Sequence, residues 1–222
     1  SSAASDVYKR QGNMATVHEI EQRLFSWAPR ESAMDWDNVG HLVGDPEQEV
    51  ERILVALDIT ERVAQEAIDC GAQLIVSHHP LLFHGLKTVS DRNYVERCVR
   101  KAIQNDVTVY AAHTNLDNAE DGVNFKIAEK LELEQVRLLL PHPVKVKDGG
   151  HEYTVMAGSG VIGVLPQPED SLKFLQRIPK IRIFGSICRV ESAVYHGLYL
   201  LISWQRLCTG VVPVGDGITC LL

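Results

Sequence analysis

Apolar residues recur along this chain in two textures, short unbroken runs and stripes at three- and four-residue spacing. Val17, Ile20, Leu24 and Phe25 repeat at helical spacing up to Trp27, behind a Thr16-x-x-Glu19 capping box, and predict a first helix that ends before Pro29. A loop around Met34-Asp35-Trp36-Asp37-Asn38-Val39-Gly40 follows, its Asn and Gly being turn formers that let other backbone come close. Ile53-Leu54-Val55-Ala56-Leu57 suits a strand buried on both faces, and Thr60 caps a helix striped by Val63, Ala64, Ala67 and Ile68 that Gly71 stops. Residues 73–77 read as the next strand. Tyr94, Val95, Cys98, Val99, Ala102 and Ile103 stripe the next helix, residues 107–112 form a third strand, and Val123, Ile127, Ala128 and Leu131 stripe a helix from about 122 to 131. Strands alternating with amphipathic helices imply parallel βαβ units with right-handed crossovers. The expected class is α/β, a parallel or mixed sheet flanked by helices, over residues 14–140.

After Pro141 the pattern changes to short β-rich pieces punctuated by Pro143, Gly149, Gly150, Gly158, Gly160 and Gly163, with a hairpin turned by Asp148-Gly149-Gly150. Ser171 begins a short helix carrying Leu172, Phe174 and Leu175, and residues 181–184 read as a strand, so residues 141–194 are expected to form a second, smaller α/β lobe. From Tyr195 to Leu222 apolar residues crowd without a period and no element is assigned. Residues 1–13 lack any apolar period and precede Met14; they read as a scar or disordered leader outside the fold.

Composition narrows the function classes. With 45% hydrophobic residues in 222 the chain can bury a core, and a net charge of −7 gives no basic field for nucleic acid. No apolar run approaches the roughly 20 residues that span a bilayer. Five cysteines, Cys70, Cys98, Cys188, Cys208 and Cys220, offer no Cys-x-x-Cys pair and an odd total, which points to a reducing cytoplasm.

The chemistry concentrates at two predicted strand ends. Ser77-His78-His79-Pro80 closes one, His113 closes the next, and Asp117 follows four residues later. In parallel α/β sheets ligand sites lie beyond the carboxyl ends of strands, so these four side chains can share one crevice. Imidazole with carboxylate suits zinc, iron or manganese in an open site, while the alternative is a set of hydrogen-bonded histidines with Asp117 in an Asx-turn. Successive residues of an extended chain face opposite ways, so His78 and His79 are expected to serve two metals, or one of them to support the other's ligation. His84, on the loop leaving the pair, is at most a proton shuttle and otherwise a plain loop residue. His18, His41, His142, His151 and His196 have no partner at ligand spacing. P-loop and Gly-x-Ser-x-Gly signatures are absent, Gly158-Ser159-Gly160 with Gly163 is only a weak echo of a Gly-x-Gly-x-x-Gly loop, and a phosphoesterase of the Asp-His-His type would want an acid at Ser77, with Asp58 as a further ligand.

Trp36 to Gly44, Ile75 to Phe83 and Ala112 to Asp117, with Gly122-Val123-Asn124 and Gly160 to Pro166, resemble in order and spacing the NIF-three-like family, also called GTP cyclohydrolase I type 2 homologs. That resemblance implies a two-lobed α/β protein assembled as a homohexameric ring. It also implies two divalent metal ions per subunit held by His78, His79, His113 and a bridging Asp117, and a nucleotide-like small substrate attacked by metal-activated water. It further implies a His and a Glu four residues apart near the C-terminus. Here, after Phe184, the only acids are Glu191 and Asp216 and the only histidine is His196, so the expectation is a C-terminally truncated or frame-altered copy with four ligands for two ions. The leading expectation is a metal-dependent hydrolase-like protein; its rivals are a non-catalytic metal-binding scaffold or regulatory protein and an incomplete, inactive copy.

Overall fold

The computed structural model describes residues 14–170, residues 173, 174 and 176, and strands at 199–202, 210–214 and 217–221. Two compact units emerge, one built from residues 14–26 and 38–112, the other from residues 27–37 and 113 onwards.

In the first unit, β1 (Ala15–Thr16) leads into α1 (Val17–Trp27) through the expected capping box: Glu19 N donates to Thr16 Oγ1 at 3.2 Å and Thr16 N donates back to Glu19 Oε2 at 3.1 Å. β2 (Gly40–Val43) and β3 (Glu49–Val50) follow, where the apolar pattern shows only a loop and its sequel. Then come β4 (Ile53–Ala56), α2 (Glu61–Asp69), β5 (Leu74–Ser77), α3 (Tyr94–Gln104) and β6 (Thr108–Ala111), the predicted βαβ series. The sheet order is β2-β6-β5-β4, with β4, β5 and β6 parallel and β2 antiparallel to β6, so the sheet is mixed. Because β4, β5 and β6 lie in sequence order, both right-handed crossovers place their helices on one face. Ile59, Ala67, Ile75, Val99 and Val109 form the core under that face.

The same topology corrects the expectation that Ile53 to Leu57 is buried on both faces. Leu54 packs toward the helices, but Ile53 is 45% exposed and Val55 76% exposed on the opposite face, which neither crossover helix can reach. Tyr94 and Ile103 likewise stand out of the α3 stripe, exposed near its two ends, while Cys98, Val99 and Ala102 are buried. Strand register fixes the edge that matters. Ala56 pairs with Ser77 and Ser77 with Ala111, so Asp58, His78, His79 and Ala112 leave the sheet along a single border.

The second unit contains α4 (Thr114–Asn118), α5 (Val123–Lys130), β7 (Glu134–Leu138), the hairpin β8 (Pro141–Asp148) and β9 (His151–Gly158), and β10 (Val161–Val164). Gly149 and Gly150, at φ 53° and 86°, turn the hairpin where the sequence places it. The segment after Tyr195 supplies β11 (Tyr199–Ile202), β12 (Gly210–Val214) and β13 (Gly217–Leu221), giving a five-stranded sheet of order β12-β13-β11-β10-β7. Ile127, Ala128, Leu131, Val161, Leu165 and Phe174 form this unit's core. The expected leader at 1–13, the strand at 181–184 and Ser171, Leu172 and Leu175 of the expected helix lie outside the described residues.

Two local devices bear on stability. A Cβ on Gly122 would collide with Leu116 O and stand 2.9 Å from Ala119 O, so the start of α5 can approach the end of α4 only as glycine. Gly122→Ala is expected to cost about 1–3 kcal/mol by overpacking, read as a lower thermal midpoint. Glu96, buried in the first turn of α3, accepts from Thr88 Oγ1, Ser90 N and Oγ, and Asn93 Nδ2, tying down the loop that leaves the His pair. Its Ser90 hydroxyl bond, opposed by burial and joined by Thr88 and the amides of Ser90 and Arg92, holds the carboxyl below its ordinary 4.5. Stability from a depressed carboxyl is present above the unfolded value and is lost as pH falls through the lower folded value. Denaturation midpoints measured downward from pH 5 should therefore fall more steeply in the wild type than in Glu96→Gln.

Candidate metal centre

β5 ends at Ser77, and the chain bends at His78 and His79. Pairing with β4 continues past the strand, His78 N donating to Ala56 O at 3.1 Å and His79 N to Leu57 O at 2.9 Å. The buried Ser77 hydroxyl lies 2.9 Å from His79 O and 3.3 Å from Tyr110 O, both acceptors. This bend overturns the expectation that the two imidazoles point to opposite sides. Alternation holds only in extended backbone, and here the rings sit 5.0 Å apart, tilted by 51°.

Ala112 N donates to Ser77 O at 2.9 Å, which brings the next residue, His113, out beside the pair. His113 is the N-cap of α4 and Asp117 lies within that helix, outside the cluster that the ring nitrogens of His78, His79 and His113 form. Asp117 is 1% exposed and lies in a helix, neither an Asx-turn nor a loop. Five residues cannot sustain a helix alone, and polar side chains hold this one. Asn115 Nδ2 donates to Ala28 O at 2.7 Å, Asn118 Nδ2 to Ser32 O at 2.7 Å, Asn124 Nδ2 to Asp117 O at 2.8 Å, and Thr114 Oγ1 accepts from Met34 N at 2.9 Å. Asp37, its side chain closed to solvent, accepts from His113 Nδ1 at 2.9 Å, from Thr114 N at 3.0 Å and from the Thr114 hydroxyl. Burial alone would raise the Asp37 carboxyl, but the bonds from His113 and Thr114 and the charge of His113 outweigh it and bring it down to about 2.

Each imidazole has its Nδ1 on an acceptor: His78 on Ala112 O at 2.9 Å, His79 on Asp58 Oδ1 at 2.7 Å, and His113 on Asp37 Oδ1. A carbonyl or an ionised carboxylate only accepts, so Nδ1 carries the proton and the Nε2 lone pair of the neutral ring is available to a cation. One ring nitrogen from each of His78, His79 and His113 lies within 4.8 Å of the others, and this cluster could hold a metal ion. Neutral imidazoles oriented through their second nitrogen are the donor set that zinc, iron and manganese sites use. His84 is not part of it; exposed on the loop after β5, it meets Phe83 ring to ring at 5.0 Å. His18, His142 and His151 are exposed, His41 lies on β2, and His196 is outside the described residues. Asp37, in a loop with no ligand spacing of its own, and Asp58, expected only as a ligand, are both orienting partners of histidines.

The family model for Duf34/NIF3 (NGG1p interacting factor 3) matches residues 15–192. The chain belongs to this family. A "GTP cyclohydrolase 1 type 2 homolog" of Halalkalibacterium halodurans is 41% identical over 129 residues, 58% of this chain and 34% of the relative. One of Streptomyces coelicolor is 42% identical over 130 residues, 59% of this chain and 46% of the relative. This NIF3 chain thus spans less than half the length of these curated relatives. A Staphylococcus aureus hypothetical protein superposes with a TM-score of 0.68 at 27% identity, covering 76% of this chain and 64% of that one. A Bacillus cereus protein related to NIF3 superposes at 0.72 and 23% identity, covering 86% and 77%, and shows the shared fold. Among the described residues no helix is long and apolar enough to cross a membrane.

Loss of an orienting carboxylate typically lowers metal affinity about 10- to 100-fold. Asp37→Asn should lie at the upper end of that range, because the amide turns a donor toward Thr114 N as well as weakening the hold on His113. Asp58, 60% exposed with its His79 at 37%, is the more solvated partner, and Asp58→Asn should lie at the lower end. Competition titrations with a chromogenic zinc chelator measure both, and equal affinities for the two variants would contradict the ranking.

Proposed function

We propose that this NIF3-family chain acts as a metal-dependent hydrolase-like protein, with Nε2 of His78, His79 and His113 and the Asp117 carboxylate holding two divalent ions of the zinc, iron or manganese class. The observation that carries the reading is the shared orientation of the three rings, each Nδ1 proton engaged by Ala112 O, Asp58 or Asp37 and each ring offering a nitrogen to the same small volume. Asp117, buried in α4 four residues after His113, is the carboxylate that the family resemblance offers as a bridge. When bound, such a pair lowers the pKa of a coordinated water toward about 7 and supplies a nucleophile at neutral pH.

The chain's own contribution is to fix the tautomer of the imidazoles and to stop them rotating. Asp58 and Asp37 hold the Nδ1 protons of His79 and His113, and the Ala112 carbonyl does so for His78. The names of the curated relatives support a nucleotide-like small substrate. The family resemblance further supports a homohexamer and Asp117 as a shared ligand, and the cysteine usage supports work in a reducing cytoplasm.

Elemental analysis of protein beginning at Met14, beside a His78→Ala/His79→Ala variant, tests the proposal. About two ions per wild-type chain, lost in the variant, are expected. Metal-free wild type would sink it. Metal-dependent turnover on a nucleotide panel, abolished by His79→Ala with the fold intact, separates an enzyme from a scaffold that binds metal and partners without turnover.

A further inference from the structure

Trp36, the residue before Asp37, stands at a turn that is anchored on the start of α4. Met34 to Asp37 is a tight turn closed by Asp37 N donating to Met34 O at 2.9 Å, with Asp35 and Trp36 at its corner. Both ends are anchored on the start of α4, Met34 N on Thr114 Oγ1 and the Asp37 carboxylate on His113 and Thr114. Trp36 is thereby held on a rigid corner, 54% exposed, its ring meeting the His113 imidazole near-perpendicular at 74° with centroids 6.3 Å apart. An indole kept half in water forgoes part of the large apolar stabilisation its burial would give. Here it stands at fixed distance from an imidazole that the chain has already oriented.

We propose that Trp36 is the stacking surface on which a flat, neutral heteroaromatic ring of the substrate lies, placing that ring beside His113. This rests on the metal-site reading and names the part of the substrate that the chain recognises. Asp35, exposed and acidic at the neighbouring position of the same corner, adds negative charge there that disfavours a phosphate, which favours the base of a nucleotide over its phosphate. Stacking tolerates any flat ring and needs only an aromatic partner, so phenylalanine can substitute and alanine cannot.

The test is calorimetric titration of guanosine 5′-monophosphate and of ribose 5-phosphate, which differ only in the base, into wild type, Trp36→Phe and Trp36→Ala. Each protein is titrated loaded with zinc and again after chelation. Wild type should prefer the nucleotide by at least about tenfold, Trp36→Phe should keep most of that preference, and Trp36→Ala should lose it, with ribose 5-phosphate affinity unchanged across the three. A preference retained in Trp36→Ala, or absent from wild type, overturns the proposal. So does a change of sedimentation coefficient in Trp36→Ala with the preference intact, which would make the indole a contact between copies of the chain. Failure of the metal reading shows separately, as affinities for both ligands that chelation leaves unchanged.

Discussion

One carboxylate, Asp37, joins the backbone of this protein to its chemistry. It accepts from a ring nitrogen, a main-chain amide and a hydroxyl, all within the two residues that start α4. Three donors outweigh the cost of its burial and keep it ionised well into acid, and an ionised acceptor leaves His113 one way to place its proton. The turn at residues 34–37, the start of α4, the tautomer of His113 and the position of Trp36 therefore share a single anchor. His79 is held by the same logic in a wetter setting, and His78 by a carbonyl that costs no charge at all. Three solutions to one requirement, ranging from buried charge to main-chain dipole, converge on rings of one tautomer.

The parts of the fold legible in the sequence are those in which periodicity repeats over many residues. α2 and α3 show their stripes and caps, and β4, β5 and β6 their apolar runs, because burial against one helical layer demands those patterns. β2 was not legible: four residues beginning at a glycine give no alternation to read, and the strand exists because Gly40 and His41 pair with Ala111 and Tyr110. α4 was not legible for a different reason. Its inward residues are Thr114, Asn115, Asp117 and Asn118, so a search for apolar stripes passes over it, and its stability comes from bonds to residues more than 70 positions earlier.

The histidines could be located from sequence because strand ends in a parallel sheet carry ligands, and register then brings them to one border. Their mutual orientation could not. It turns on where β5 stops, one residue before His78, and on a buried serine hydroxyl near the His79 carbonyl. Extending the strand by two residues would restore the alternation and send the rings apart. Exposure of Ile53 and Val55 has a similar origin, since whether a run is covered on both faces depends on the order of its neighbours, which the run itself does not encode.

Polar burial around α4 carries a structural consequence beyond the ligands. Apolar side chains could fill the same volume and stabilise the unit as well, since buried polar pairs gain little net free energy over well-packed hydrophobes. What they add is direction. Asn115, Asn118 and Asn124 each spend an amide hydrogen on one named carbonyl, and each such bond is expensive to leave unmade in a dry interior. A helix of five residues pinned by four oriented side chains has one rotational setting, whereas one packed on leucines could slide. That one setting fixes where His113, its N-cap, leaves the helix, and with it the imidazole that Asp37 holds.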